Sequence, residues 1–182
     1  MKKKISISVF YGTIASLMAI VIDILLKFTN AHLYTTSRYG LYFFTIILIG
    51  ICIYLAIKKY RENNFEEKPF LFFHGFSIGG LTSLVYAIFF SLYLLVLSQT
   101  LVPDMFEKYK EQQIIAIENS TANNTEKNTQ LSTINNMTDG SILFTDFIQR
   151  LIFPLIISLF TAIFMQQKTP MTEKQVDYQQ KY

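Results

Sequence analysis

Four apolar blocks constrain the fold of this chain more than any other feature. They cover residues 5–28, 39–57, 75–102 and 142–165. Each block is long enough to cross about 30 Å of hydrocarbon at a rise of about 1.5 Å per residue. A soluble helical bundle would carry polar residues along the exposed face of every helix, whereas residues 41–57 carry no charge. The sequence therefore predicts an all-α polytopic membrane protein built as a four-helix transmembrane bundle.

Composition and charge narrow the functional classes. The 182 residues are 51% hydrophobic with a mean hydropathy of +0.32, both high for a soluble domain. The net charge is only +3 and the basic residues sit at the span ends, which excludes nucleic acid as a partner. Cys52 is the single cysteine, so no intrachain disulfide and no cysteine-based metal site can form. No cofactor is expected. The basic start resembles a signal peptide, but its apolar run is too long, so it is interpreted as a retained first span.

The distribution of Lys and Arg predicts the orientation, because positively charged flanks stay in the cytoplasm. With the N-terminus inside, the inner segments hold ten such residues and the outer segments hold four. We therefore expect a multi-pass protein of the bacterial inner membrane with both termini cytoplasmic. Residues 1–168 form the predicted four-span domain, and residues 169–182 form a polar cytoplasmic tail. The lipid bilayer is the first expected partner, followed by a homo-oligomer or a larger membrane complex.

The connection between the third and fourth spans, residues 103–141, is predicted to hold an outer amphipathic helix and a polar loop. Pro103 suits a first helical turn. Apolar residues then follow at near-helical spacing: Phe106, Tyr109, Ile114 and Ile117. This helix either continues the third span outward or lies at the membrane surface. Residues 119–140 are rich in Asn, Thr and Ser without periodicity, which predicts a solvated loop.

A row of small residues runs along the third block. Its members, four residues apart, are Gly75, Gly79, Ser83, Ala87 and Ser91. Apolar contact between helices gains nothing over contact with acyl chains, so association in lipid relies on close packing and polar contacts. The row is therefore interpreted as a helix-packing face. Four residues turn by about 400°, so the row winds around the helix and two neighbouring helices are expected to share it.

Similar rows occur in two other blocks. The first block has Ala15, Ala19, Asp23 and Lys27, with Gly12 and Ser16 on nearly the same face, and the fourth block has Asp146, Arg150, Pro154, Ser158 and Ala162. Both rows are small at the inner end and charged toward the outer end. The alternative is a chance excess of small residues in a generic membrane protein. Pro154 is expected to kink the fourth helix, because proline lacks a donor and clashes with the preceding turn.

The charged residues inside spans predict a polar cluster. A charge near the middle of a span costs about 2.5–3.5 kcal/mol, so such groups pair or reach for the interface. Asp23 can pair with Lys27 and Asp146 with Arg150 at a spacing of four, and Asp23 can also pair with Arg150. We hypothesise one cluster in the outer half of the membrane that joins the first and fourth spans. It either holds the spans in register while the cations snorkel, or lines a solute or proton path.

His74 is the remaining candidate for chemistry. It lies at the predicted inner interface downstream of Glu66 and Glu67, and histidine near carboxylates can bind a metal or act as a base. His32 falls on the opposite side of the membrane, which excludes a two-histidine site in one chain. His74 is therefore interpreted as an interfacial aromatic group. No metal-ligand spacing, phosphate loop or nucleophile–base–acid set is found in the sequence, so the protein is predicted not to be an enzyme.

The order of several segments resembles a known family. These segments are IKKYREN, KPFLFFHGFSIGGLTSLVYAIFFSLYLLV, VPDMFEKYKEQQI and FIQRLIFPLIISLFTAIFMQQK. Together they resemble the DUF4199 family, small four-span membrane proteins typical of Bacteroidota. The resemblance covers most of residues 57–168 and, more weakly, the first two spans. The family has no established biochemical activity, so the resemblance implies a location and an architecture and transfers no catalytic residue.

Three functional hypotheses follow. The leading one is a non-enzymatic accessory or structural subunit that packs through its small-residue faces, and it predicts such a face left uncovered by the chain's own helices. The alternative is a small transporter or channel, which predicts a hydrated cavity reaching Asp23 or Arg150. A membrane-embedded enzyme is the third, and it requires polar groups converging on His74.

Overall fold

The computed structural model describes residues 2–28, 35–65, 69–121 and 123–166, but not the side chains of residues 2, 27, 28 and 35–42. Within these ranges the chain forms six helices: α1 Lys2–Phe28, α2 Thr35–Asn64, α3 Phe72–Thr100, α4 Met105–Glu118, α5 Asn124–Asn135 and α6 Asp139–Met165. Four segments are long and apolar enough to cross a membrane: Lys3–Leu26, Phe43–Asn64, Phe72–Thr100 and Asp139–Met165. The predicted all-α membrane bundle is confirmed, whereas the predicted tail at 169–182 lies outside the described residues.

The membrane-spanning helices are long. α3 contains 29 residues and is therefore about 43 Å long at a rise of about 1.5 Å per residue. α6 continues through Pro154. Large apolar side chains are exposed along the spans, among them Phe43, Phe153, Phe160 and Phe164. So much exposed apolar surface is rare on a soluble monomer and suits a surface covered by acyl chains.

The described residues divide into two compact units. The first unit holds the residues up to Tyr86 together with those from Ile152 onward, and the second unit is Ala87–Leu151. The core of the first unit includes Ile53, Ala56, Ile57, Phe70, Ile78 and Ala162, all fully buried. The second unit contains the end of α3, the helices α4 and α5, and the start of α6. Its buried apolar residues are Ala87, Phe90, Leu94, Leu97, Phe106, Ile134 and Ile142.

The region predicted as a polar loop, residues 119–140, contains the helix α5, so the loop prediction is wrong for Asn124–Asn135. A side-chain cap explains the difference: the Asn123 Oδ1 atom accepts a hydrogen bond from the Glu126 N–H at 2.8 Å. Such a cap satisfies a donor that the first helical turn leaves open. Ile134 then buries its side chain. The Asn123 cap and the burial of Ile134 therefore account for a helix in a segment that has almost no apolar periodicity.

The helix predicted after the third span is present as α4, and its position on the outer side of the membrane stays a prediction. The chain leaves the α-helical conformation between Thr100 and Met105, so α4 is a separate helix and does not continue α3. At its start, Lys108 Nζ lies 2.5 Å from Asp104 Oδ2. The hydrogen bond from Lys108 lowers the pKa of the Asp104 carboxyl group. The end of α4 is tied to α5, because Lys127 Nζ donates to the Glu118 carbonyl at 2.8 Å.

Candidate functional site

The small-residue row of α3 meets the small-residue row of α6 in the first unit. A Cβ atom built on Gly79 would overlap the Ser158 hydroxyl, and it would lie 2.8 Å from Ser158 Cβ. A Cβ atom on Gly75 would lie 3.1 Å from Ala162 Cβ and 3.2 Å from Ala162 Cα. These distances are below ordinary van der Waals contact, so the missing side chains are what allow the two backbones to approach.

The same row also faces α2. The Cβ position of Gly79 lies 3.2 Å from Ile53 Cγ2, and Ile53 is fully buried. One turn farther along α3, the Ser83 side chain is buried and its Oγ donates to the Gly79 carbonyl at 2.8 Å. In the first unit, therefore, residues of both α6 and α2 contact the row that the sequence analysis singled out.

The second unit contains the last two members of that row. Ala87 is fully buried and Ser91 is half-buried. The Ser91 Oγ atom is buried and has no hydrogen-bond partner among the described atoms. Most other helical Ser and Thr hydroxyls near it, such as Ser98 and Thr100, donate to a backbone carbonyl one turn back. Ser91 is thus the one row member whose hydroxyl does not follow this pattern.

The row of α1 packs on α3 as well. A Cβ atom on Gly12 would lie 2.7 Å from Val85 Cβ and 2.8 Å from the Thr82 carbonyl oxygen. The Ser8 Oγ donates to the Ile78 carbonyl at 3.2 Å. Three further small residues of this face, Ala15, Ser16 and Ala19, are buried. The small end of the α1 row therefore lies in the interior of the first unit.

The charged residues of α6 form a pair within the helix, as the spacing predicts. Arg150 Nε donates to Asp146 Oδ2 at 2.7 Å, with side chains 13% and 24% exposed. The Arg150 Cζ atom also lies 3.8 Å from the centroid of the Phe90 ring. Arginine stacked on an aromatic face gains a cation–π attraction that strengthens as the pair is desolvated. Arg150 therefore connects α6 to α3 inside the second unit.

The predicted polar cluster also includes Asp23 and Lys27 of α1. Asp23 is half-buried, and the side chain of Lys27 lies outside the described residues. A cluster that joins the first and fourth spans stays a prediction. Pro154 is buried inside α6, and the kink expected there also stays a prediction.

His74 lies in an aromatic cluster. Its ring centroid is 4.6 Å from that of Phe65 and 5.9 Å from that of Phe70. Its Nδ1 atom accepts a hydrogen bond from the Leu71 N–H at 3.3 Å. Glu66, Glu67 and His32 lie outside the described residues. Among the residues that are described, no three His, Cys, Asp or Glu side chains are placed to hold a metal ion.

Sequence reasoning missed the large side chains that fill the interior. Tyr86 and Phe90 are almost fully buried, and so is Phe70, but neighbouring residues of the same type, such as Phe89, are exposed. α3 is apolar in every direction, so its sequence carries no periodic signal that separates the two groups. Sequence reasoning also missed the link between Lys4 Nζ and Ser77 Oγ. A lysine at the start of a span is typical of any membrane protein and does not identify its partner.

The described residues form six helices, four of them long and apolar, with tightly packed rows of small residues, and these features indicate a multi-pass helical membrane protein. The chain belongs to the DUF4199 family, described as a protein of unknown function, whose family model matches residues 10–167. The resemblance drawn from the sequence is thereby confirmed. Searches of curated proteins and of solved structures each found no match.

Proposed function

We propose that this protein is a non-enzymatic structural or accessory subunit of the bacterial inner membrane, with both termini in the cytoplasm. The close packing of the small-residue rows against the chain's own helices supports the structural part of this role. Gly75 and Gly79 face Ala162 and Ser158 at distances that leave no room for a side chain. Helices packed this closely leave no space for a ligand between them, as expected for a structural bundle.

The small-residue face is not the surface on which a partner subunit would bind. The leading hypothesis expected a small-residue face left open, but Ser83, Ala87, Ser158 and Ala162 are all fully buried in the chain itself. Outside the spans, α4 and α5 form a folded segment. The exposed side chains of α5 are mostly amides and hydroxyls, such as Asn128, Thr129 and Gln130. We propose that the partner contact lies on α4–α5, against a polar surface of a second membrane subunit.

Site-specific photo-crosslinking in native membranes tests this contact. A photoreactive residue at Thr133, exposed on α5, is expected to yield a protein adduct of defined mass. The matched control is Phe153, exposed on the apolar surface of α6, where only lipid adducts are expected. If both positions give only lipid adducts and the chain is recovered alone as a monomer, the accessory role is wrong.

The orientation has its own test. Gln130→Cys on α5 and Lys59→Cys at the end of α2 are both exposed, and the native Cys52 is buried. A membrane-impermeant maleimide applied to spheroplasts should label Gln130→Cys at once and Lys59→Cys only after the membrane is opened. The reverse pattern would place the termini outside.

A small transporter or channel is the second candidate, and the Asp146–Arg150 pair favours it. Both side chains are largely buried inside a candidate span, where an ionisable pair is costly unless it has a role. In vesicles of purified protein, this candidate predicts a proton or solute flux that Asp146→Asn abolishes. Vesicles no leakier than protein-free vesicles would eliminate it.

A further inference from the structure

Contacts between helix ends bring four of them together at one end of the first unit. The Arg61 Nη1 atom of α2 donates to the Met165 carbonyl of α6 at 3.4 Å. The Lys4 Nζ atom of α1 donates to Ser77 Oγ of α3. The close contact of Gly75 with α6 joins the start of α3 to the end of α6. The starts of α1 and α3 and the ends of α2 and α6 therefore lie at the same end of this unit.

This end, formed by residues 3–4, 58–65, 70–77 and 162–166, is positively charged, and we call it the basic end. Among its described side chains one is a carboxylate, Glu62, and five are cations: Lys3, Lys4, Lys58, Lys59 and Arg61. The carboxylate lies 4.0 Å from the Lys58 ammonium, and both groups are about half exposed, so water screens this pair. The other charged residues of segments 2–4 and 58–77 cancel: Lys2, Lys68, Glu66 and Glu67.

Two of the cations are held by the protein itself. Lys4 and Arg61 are both half-buried, and their hydrogen bonds to Ser77 and Met165 fix the position of each charged group. An ammonium group has three N–H donors and a guanidinium group has five, so each group keeps donors for an external acceptor. Side chains that are ordered before a ligand arrives lose less entropy on binding. These two cations are therefore suited to hold an anion.

Large apolar side chains are exposed at the same end. Phe73 is 77% exposed and Phe164 is 85% exposed. The contact between Gly75 and Ala162 places these two rings at one level of the antiparallel helices, because each lies two residues farther toward the basic end. A free phosphate would use the cations and leave these rings in contact with water. A phospholipid offers an anionic group for the cations and acyl chains for the rings.

We propose that the basic end of the first unit binds anionic phospholipids. The cations of α1 and α2 hold the lipid phosphate, and Phe73 and Phe164 contact the acyl chains. Removing one basic residue near an anionic lipid headgroup weakens binding about fivefold, the equivalent of about 1 kcal/mol. This lipid binding does not depend on the proposed accessory role, because it needs no partner subunit.

Native mass spectrometry of the full chain, released from neutral detergent micelles, tests the proposal. Dioleoyl phosphatidylglycerol is the anionic probe, and dioleoyl phosphatidylcholine, which has the same chains and no net charge, is the reference. The unmodified chain is expected to bind phosphatidylglycerol at least about fivefold more tightly. Lys58→Gln with Lys59→Gln should weaken phosphatidylglycerol binding at least about fivefold and leave phosphatidylcholine binding unchanged. Lys4→Gln removes a cation from a different helix, and a loss of about fivefold is expected there too.

The matched control is Lys108→Gln with Lys110→Gln, which removes two cations from α4 and should leave the preference for phosphatidylglycerol intact. Equal binding of the two lipids by the unmodified chain would overturn the proposal. Equal losses in the two double variants would also overturn it, because net charge and not the basic end would then attract the lipid. Glycerol 3-phosphate in large excess should not displace phosphatidylglycerol, since it has no acyl chains. Its displacement of the lipid would mean that the cations form a site for free phosphate compounds.

Discussion

The two units join their helices by opposite means. In the first unit, α3 meets α6 and α1 where side chains are missing, at Gly75, Gly79 and Gly12. In the second unit, α3 meets α6 through one of the largest side chains, with Arg150 stacked on Phe90. Helices in lipid gain little from apolar contact alone, so they associate through close backbone approach or through polar contacts. The first unit relies on close backbone approach and the second on a polar contact, so different substitutions are expected to destabilise them.

The largest expected effect comes from adding volume to the first unit. Gly79→Ile places a branched side chain where a Cβ atom already overlaps Ser158. Overpacking a close interior costs about 1–3 kcal/mol, and more where the backbone must shift. We expect the free energy of unfolding, measured in detergent micelles, to fall by an amount at or above the top of that range.

Gly80→Ile is the matched control, because the neighbouring Cβ position meets only Leu155 Cδ2, at 3.5 Å. It makes the same change in helix propensity one residue away, and it should leave most of the stability intact. Equal losses for Gly79→Ile and Gly80→Ile would mean that the close approach to Ser158 has no special role.

Removing charge from the second unit should have the next largest effect. Arg150→Met keeps much of the side-chain length but leaves the Asp146 carboxylate without its guanidinium partner. Leaving a largely buried polar group unsatisfied costs roughly 1–3 kcal/mol. The double variant Arg150→Met with Asp146→Leu should recover most of this loss, since apolar replacement of a buried ion pair is often neutral.

The chain supplies a matched pair on its surface. Asp104 and Lys108 have the same spacing of four residues, but their side chains are 49% and 61% exposed, against 24% and 13% for Asp146 and Arg150. Lys108→Met should therefore cause no measurable loss of stability, because exposed pairs are screened by water. A comparable loss of stability in Lys108→Met and Arg150→Met would show that burial does not determine how much these ion pairs contribute to stability.

How far the sequence predicts the structure differs between the two units. In the first unit, residues such as Gly79 and Ser158 stand out in the sequence because small side chains at a spacing of four are visible without any tertiary information. The contact between Gly79 and Ser158 could not be predicted, because the sequence does not reveal which rows meet or in what register. The sequence also does not predict that Tyr86 is buried and Phe89 exposed, because α3 is apolar on all sides.

In the second unit, the Asp146–Arg150 pair is one of the two pairings that the sequence analysis allowed for Arg150, whereas the helix α5 was not predicted. Its composition of Asn and Thr favours a loop by propensity, and the helix depends on the cap at Asn123 and the burial of Ile134. Phe90 could not be identified as the partner of Arg150 either, because aromatic residues are frequent throughout α3. Sequence periodicity thus predicts contacts within a helix and leaves contacts between helices undetermined.

A smaller effect is expected when the α5 cap is removed. Asn123→Ala deletes the acceptor of the Glu126 N–H, and loss of such a cap costs about 1 kcal/mol. Amide hydrogen exchange in the first turns of α5 should accelerate roughly fivefold, which corresponds to that energy. Asn123→Asp keeps the acceptor and should retain the protection, and Asn128→Ala provides a control inside the helix. Unchanged exchange in Asn123→Ala would mean that tertiary contacts such as Ile134 hold α5 without the cap.

The smallest effect concerns the exposed pair at the start of α4. The hydrogen bond from Lys108 keeps the pKa of Asp104 below its ordinary value of 3.8. A carboxylate with a lowered folded-state pKa contributes stability above its unfolded pKa, and this contribution disappears as the pH falls through the folded value. The midpoint of the Asp104 carboxyl signal in an NMR titration should therefore rise toward 3.8 in Lys108→Ala. Lys110→Ala, which removes a neighbouring charge without removing the hydrogen bond, should leave the midpoint nearly unchanged. If both variants raised it equally, the general positive field of α4 and not the Lys108 contact would set the Asp104 pKa.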